Sequence, residues 1–156
     1  MKRNILLHLL IVSILISSCA GIGQSLIQSP VLKITNVRVS NLSLTNQNIV
    51  FTIGIDNPNP IPIPLKGLTY NLDLNGVEFA NGFNESDINI PAGGNSVMDL
   101  NIEGDLLSFI QNFGGVKQGG LDYYLSGDIA LLSTSLRFPY SQEGRLTLGS
   151  LFNILR

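Results

Sequence analysis

Between Val31 and Leu148 apolar side chains recur at every second residue, in one run after another, and that period commits the chain to strands with one buried face. Ile49, Phe51, Ile53 and Ile55 alternate with Val50, Thr52 and Gly54, and Leu68, Tyr70, Leu72 and Leu74 alternate with Thr69, Asn71 and Asp73. Val37 and Val39 alternate with Arg38 and Ser40, with Leu42 and Leu44 continuing after a change of register. Asn75-Gly76 separates two such runs. It predicts a tight hairpin into Val77-Glu78-Phe79-Ala80, because both central residues of a type I′ turn need positive φ. Ile88 and Ile90 form a short apolar pair before a turn at Pro91-Ala92-Gly93-Gly94, and Met98, Leu100 and Ile102 alternate after it. Leu121, Tyr123, Leu125, Ile129 and Leu131 give a long strand, with Gly127 as a bulge or a point of close approach. Leu136, Phe138 and Tyr140 lead into a predicted turn at Ser141-Gln142-Glu143-Gly144, and Leu146 and Leu148 close the series.

One segment has another period. Leu106, Phe109, Ile110 and Phe113 stand at i, i+3, i+4 and i+7, which predicts a short helix stopped by Gly114-Gly115. About ten residues of helix cannot stand alone in water, so it must pack on the sheets. The apolar tail Leu151 to Arg156 reads as a last strand or as a helical turn capped by Ser150, packed on the core or left as a partner patch. Short strands with turns between them and one helix give an all-β class, a β-sandwich in preference to a barrel.

Asp56-Asn57-Pro58-Asn59-Pro60-Ile61-Pro62-Ile63-Pro64-Leu65 is the most distinctive stretch. Each proline lacks a donor, fixes φ near −65° and pushes the residue before it into extended space. The stretch is therefore expected to stay out of a ladder, as an edge or as a crossover carrying the chain from one sheet to the other.

This stretch resembles the late embryogenesis abundant group 2 proteins, also called the water stress and hypersensitive response domain. That family has a strand ending in Asn-Pro-Asn-Pro, a Pro-rich step, and a hairpin of Tyr-x-Leu-x-Leu-x-Gly type. Here the parts are Asn57, Pro58, Asn59, Pro60, Pro62 and Pro64, then Leu68 to Gly76 with Tyr70 and Gly76 at the matching places. Ile90-Pro91-Ala92-Gly93-Gly94, Tyr124-Leu125-Ser126-Gly127 and Phe138-Pro139-Tyr140-Ser141-Gln142-Glu143-Gly144 follow in the family's order. The resemblance implies an immunoglobulin-like or fibronectin-III-like sandwich of about seven strands with one short helix. It also implies a link with desiccation and other water stress, and it brings no catalytic residues.

The amino terminus has a different logic. Met1-Lys2-Arg3-Asn4 is basic, an apolar run extends from Ile5 to Ile16, and Ser17-Ser18-Cys19-Ala20-Gly21 follows. That is the secretory pattern, and the run is shorter than the roughly 20 residues that cross a bilayer as a helix. Ile16-Ser17-Ser18-Cys19 is similar to a bacterial lipobox, which implies cleavage before Cys19 and acylation of the new amino terminus. Ala20 after the cysteine favours the outer membrane in enterobacterial sorting. The expected organisation is a signal peptide over residues 1–18, a lipidated tether over 19–30 and one domain over 31–156, facing the periplasm.

Composition limits the chemistry. Cys19 is the chain's only cysteine and His8, in the signal, its only histidine. The mature chain is thus expected to have neither a disulfide framework nor a thiolate or imidazole site. The cations Lys33, Arg38, Lys66, Lys117, Arg137, Arg145 and Arg156 are scattered singly, so no basic stripe supports nucleic-acid binding. Asp99, Glu103 and Asp105 cluster at a strand-to-helix junction, but their spacing fits no calcium loop, and a solvated loop with Asp105 at the helix start is the better reading. Glu85 and Asp87 are read the same way. The sequons at Asn41 and Asn84 carry no meaning behind a bacterial lipobox. No enzyme, cofactor, metal or catalytic residue is expected. The function expected is protection of the envelope in water stress, against an alternative of an immunoglobulin-like adaptor with an unidentified protein partner, or a carrier with an apolar cavity between its sheets.

Overall fold

The computed structural model describes residues 27–40, 46–113, 119–132 and 135–147. The signal, Cys19, most of the tether, Leu42, Leu44, the Gly114-Gly115 stop, Leu148 and the carboxyl-terminal tail lie outside the described residues. Among the described residues there are seven strands and one helix, in the order β1 (Val31–Ser40), β2 (Gln47–Asp56), β3 (Ile63–Leu74), β4 (Val77–Ile90), β5 (Asn95–Gly104), α1 (Leu106–Phe113), β6 (Gly120–Leu131) and β7 (Arg137–Thr147). They form a three-stranded sheet, β1-β2-β5, and a four-stranded sheet, β4-β3-β6-β7, all pairs antiparallel. This is the expected sandwich, with three and four strands divided as in fibronectin-III-like domains.

The period-two runs build the core. Ile49, Phe51, Ile53 and Ile55 of β2 are buried, as are Met98, Leu100 and Ile102 of β5. They meet Ile63, Leu65, Leu68, Leu72 and Leu74 of β3 and Leu121, Tyr123, Leu125 and Ile129 of β6. Phe51 and Tyr123 touch edge to face across the two layers, with ring centroids 5.3 Å apart. Each fully buried large apolar side chain contributes roughly 1.5–3 kcal/mol, so these four strands dominate stability. A bulge between Ile34 and Asn36 lets both Leu32 and Val39 face inward on β1, which a strict alternation would forbid. The Asn75-Gly76 turn has φ of 51° and 80°, as a type I′ hairpin requires.

Helix α1 starts where Asp105 caps it: Ser108 N donates to Asp105 Oδ1 at 2.9 Å. Its inward face carries Leu106 and Phe109, and Phe109 packs edge to face on Phe79 of β4 at 5.3 Å. The helix thereby closes one end of the sandwich between the layers.

Three expectations need correcting. Pro64 sits inside β3, opposite Asn89 of β4, although a proline is expected outside a ladder. Its carbonyl accepts from Leu132 N at 3.0 Å, so its donor-less edge faces the end of β6, where no β4 bond is lost. Ser141 to Gly144 form no turn: they lie within β7, paired with Ser126 to Tyr123 of β6. Phe138, Tyr140, Gln142, Gly144 and Leu146 share one face of that strand, so the alternation passes straight through the polar stretch. Ile88 and Ile90 are likewise no separate piece but the end of β4, whose polar middle carries exposed Glu85 and Asp87. Both strands are sheet edges, where one half-solvated face tolerates polar residues.

Candidate functional site

The prolines and asparagines of residues 57–60 obey the strand alternation. Asn57 and Asn59 are buried, while Pro58 and Pro60 are exposed. The fixed φ of the prolines holds the backbone extended, and this turns both amides inward. Two side-chain amides with no water around them must find protein partners, since an unpaired buried polar group costs about 1–3 kcal/mol.

Both amides are satisfied. Asn57 Nδ2 donates to the carbonyls of Ile61 at 2.8 Å, Pro91 at 2.9 Å and, more weakly, Ile90 at 3.4 Å. Asn57 Oδ1 accepts from Asn59 N and from Asn59 Nδ2, both at 2.9 Å. The Asn57 backbone N–H donates to Gly94 O at 2.8 Å, and Gly93 N–H donates to Asn59 O at 2.8 Å. Asn59 then reaches the other way: its Oδ1 accepts from Gln28 N at 2.6 Å, and its Nδ2 donates to Gln28 O at 2.8 Å. One side-chain amide thus pairs with the backbone of Gln28 as a neighbouring strand would.

The pair of asparagines therefore joins three pieces of chain: the segment entering the domain, the β2–β3 crossover and the β4–β5 crossover. Both crossovers carry the chain from one sheet to the other, as does the later β5–β6 connection through α1 at the opposite end. Ile27 packs on the core beside them, and Pro30 is buried, so the described end of the tether is held against the domain. Gln28 gives no signal in the sequence, because its part is played by its backbone and not by its side chain.

A second arrangement lies in the four-stranded sheet. The β3–β6 ladder is interrupted opposite Thr69 and Tyr70. Asp128 N donates to Thr69 Oγ1 at 2.8 Å, and the Tyr140 hydroxyl donates to Thr69 O at 2.9 Å. Any Cβ on Gly127 would lie 2.0 Å from Thr69 O, which is the close approach expected at that glycine. Burial and the nearby Asp128 carboxylate push the Tyr140 phenol well above its ordinary range. It stays protonated as a donor. Tyr70 acts differently, since its ring covers Gly82 of edge strand β4, where a Cβ would lie 2.8 Å from the Tyr70 hydroxyl oxygen.

The acidic residues that cluster in the sequence separate in the fold. Asp99 is on the outer face of the three-stranded sheet, accepting from Arg38 at 2.8 Å and from Thr52 Oγ1 at 2.8 Å, and these bonds lower its pKa. Asp105 caps α1, and the bonds from Ser108 lower its pKa as well. Among the described residues, no three metal-capable side chains come together. A hollow of about 270 Å³ lies on the outer face, lined by Lys33, Thr35, Gly54, Asp56, Asn95, Ser96 and Val97. It is not the cavity between sheets that a carrier would need.

A fibronectin-III-like sandwich whose crossovers are joined by an Asn-Pro-Asn-Pro segment defines the class of domain. Residues 52–150 match the family described as late embryogenesis abundant protein, and the chain belongs to it. A protein of Arabidopsis thaliana known from its solution structure is 15% identical, with 84% of this chain and 89% of that one covered and a TM-score of 0.66. A second solution structure, of a protein assigned to the late embryogenesis abundant proteins, is 16% identical, with 94% and 84% covered and a TM-score of 0.57. At such identities the likeness is one of fold. Among curated proteins none matches the sequence.

Proposed function

We propose that the chain is a lipid-anchored envelope protein whose single domain protects neighbouring macromolecules during loss of water, without catalysing a reaction. The observation that carries this reading is the placement of a lipobox-like Ile16-Ser17-Ser18-Cys19 directly ahead of a domain of the late embryogenesis abundant family. In this reading residues 1–18 are removed, Cys19 is acylated, a tether runs to Pro30, and residues 31–156 form the working domain in the periplasm on the outer membrane. Several acyl chains at about 0.8 kcal/mol per buried methylene would hold it there almost permanently.

The chemistry of the domain fits a non-catalytic role. Its buried asparagines are bound to one another at the junction of chain segments, and Asp105 and Asp99 cap a helix and pair with a cation. A rigid sandwich with ordered polar edges stays folded when water is scarce and offers hydroxyl and amide groups to surfaces losing theirs. The tests are direct. Metabolic labelling with palmitate is expected to mark the wild type and not Cys19→Ala. A deletion strain is expected to survive drying or osmotic upshift less well than its parent; equal survival rejects the protective role. A stoichiometric partner in a pulldown of the anchored protein would move the reading to an adaptor.

A further inference from the structure

We propose that the end of the sandwich where the tether enters is a lipid-facing surface, seated on the same membrane that holds Cys19. This rests on the anchored reading above and adds which face of the domain meets the bilayer.

Charge separates the two ends of the domain. At the tether end lie the start of β1, the β2–β3 crossover, the β4–β5 crossover, the end of β6 and the approach to β7. The corresponding residues, 27–32, 57–65, 88–98, 130–132 and 135–136, include not one Asp, Glu, Lys, Arg or His, and the charges at their level are the mutually paired Asp56 and Lys33 and the cation Arg137 opposite Ala130. Separate stretches of chain, brought together only by the fold, share that property. The opposite end carries Asp73, Glu78, Glu103, Asp105, Asp122 and Arg145.

The uncharged end also exposes apolar groups. Val31, Ile61 and Leu136 are 47%, 49% and 48% exposed, and Pro60, Pro62 and Pro91 are exposed beside them. Prolines suit a surface that leaves water, because they bring no N–H that would need a new partner. Just behind the rim stand Lys66 and Arg137, whose long stems let the charge reach forward to a phosphate layer while the tip meets the acyl boundary. Asp56 stands at the rim itself, opposite Val31 and Asn95, where Lys33 pairs with it, while Asp87, Asp99 and Asp128 lie further back. Two of them are already paired, Asp56 with Lys33 at 3.2 Å and Asp99 with Arg38 at 2.8 Å.

Chain length then names the occupant. Asn59 holds Gln28 by both backbone groups, so free tether can exist only between Cys19 and Ile27. Nine residues fully extended span about 30 Å at most. The uncharged end can never be far from the lipid, and it is the end the tether leaves from.

The chain contains no tryptophan, which gives a clean test. Full-length lipidated protein carrying Ile61→Trp, Leu136→Trp or, at the far end, Phe113→Trp is incorporated in phosphatidylethanolamine–phosphatidylglycerol vesicles with and without brominated acyl chains. The fluorescence of I61W and of L136W is expected to fall about twofold with bromine, as for groups seated at the headgroup–acyl boundary; that of F113W stays unchanged. Protein that floats with the vesicles but shows no quenching at either near position overturns the seated surface and leaves the anchor intact. Equal quenching at all three positions overturns it too, in favour of a domain lying on its side. Protein that does not float removes both the anchor and the surface.

Discussion

The two ends of the sandwich solve the same problem, the closing of open sheet ends, with opposite materials. The tether end relies on two buried amides, with one exposed ion pair, Lys33–Asp56, at its rim; the far end uses a tight hairpin, a capped helix and the exposed Arg145–Asp122 pair, with Nε to Oδ1 at 2.6 Å. Exposed pairs are worth little, because water competes and long side chains lose freedom. Buried amides are costly to break, because a lost partner leaves other groups stranded. The end that holds the tether should therefore be the rigid one, and the end that faces solvent the tolerant one.

Substitutions rank accordingly. Asn57→Ala removes the donor shared by the Ile61, Pro91 and Ile90 carbonyls and strands the Asn59 amide. It is expected to lower unfolding stability by about 3 kcal/mol or more in denaturant titration. Asn59→Ala keeps the crossover but releases Gln28, costing about 2 kcal/mol. It should also open the segment before Val31 to proteases while the rest of the domain stays resistant. Tyr140→Phe leaves Thr69 O without its hydroxyl donor inside the four-stranded sheet, for about 1–2 kcal/mol. The same hydroxyl sets an alkaline limit. Its folded pKa lies above the ordinary phenol value of about 10, so its contribution is complete below that pH and is lost as pH rises from there through the folded value. Denaturant titration across that range should show the loss flattened in Tyr140→Phe.

At the far end the effects shrink. Asp105→Ala should lower the melting temperature slightly by uncapping α1. Because the folded pKa of Asp105 is depressed, its contribution is present above the ordinary carboxylate value and fades as pH falls through the folded one. Arg145→Gln should change the melting temperature least of all. A far-end variant that matched Asn57→Ala would break the comparison.

Much of the fold is legible in the sequence, and the departures on β4 and β7 share one cause. β2, β5 and β6 stand out because their inward residues are mostly Ile, Leu and Phe. β5 is an edge of its sheet, yet it keeps Met98, Leu100 and Ile102 inward and so keeps its contrast. On β4 and β7, the edges of the other sheet, inward positions such as Gly82, Gln142 and Gly144 are small or polar, and the period fades. Gly82 and Gly144 are covered by the rings of Tyr70 and Tyr123 from the neighbouring strand, a pairing that no local pattern reveals. The Asn-Pro-Asn-Pro segment reads as a crossover, and residues 57–62 do pass from one sheet to the other. That its asparagines bind the incoming chain is not legible, because the partners are backbone groups 31 and 34 residues away.

Amide hydrogen exchange followed by NMR on the full domain tests the rigid tether end most directly. The N–H groups of Gln28, Asn57, Asn59 and Gly93 should exchange nearly as slowly as those of β2, opening only when the whole domain unfolds. Exchange of Gln28 and Asn59 at the rate of an open chain, with β2 still protected, would contradict that rigidity.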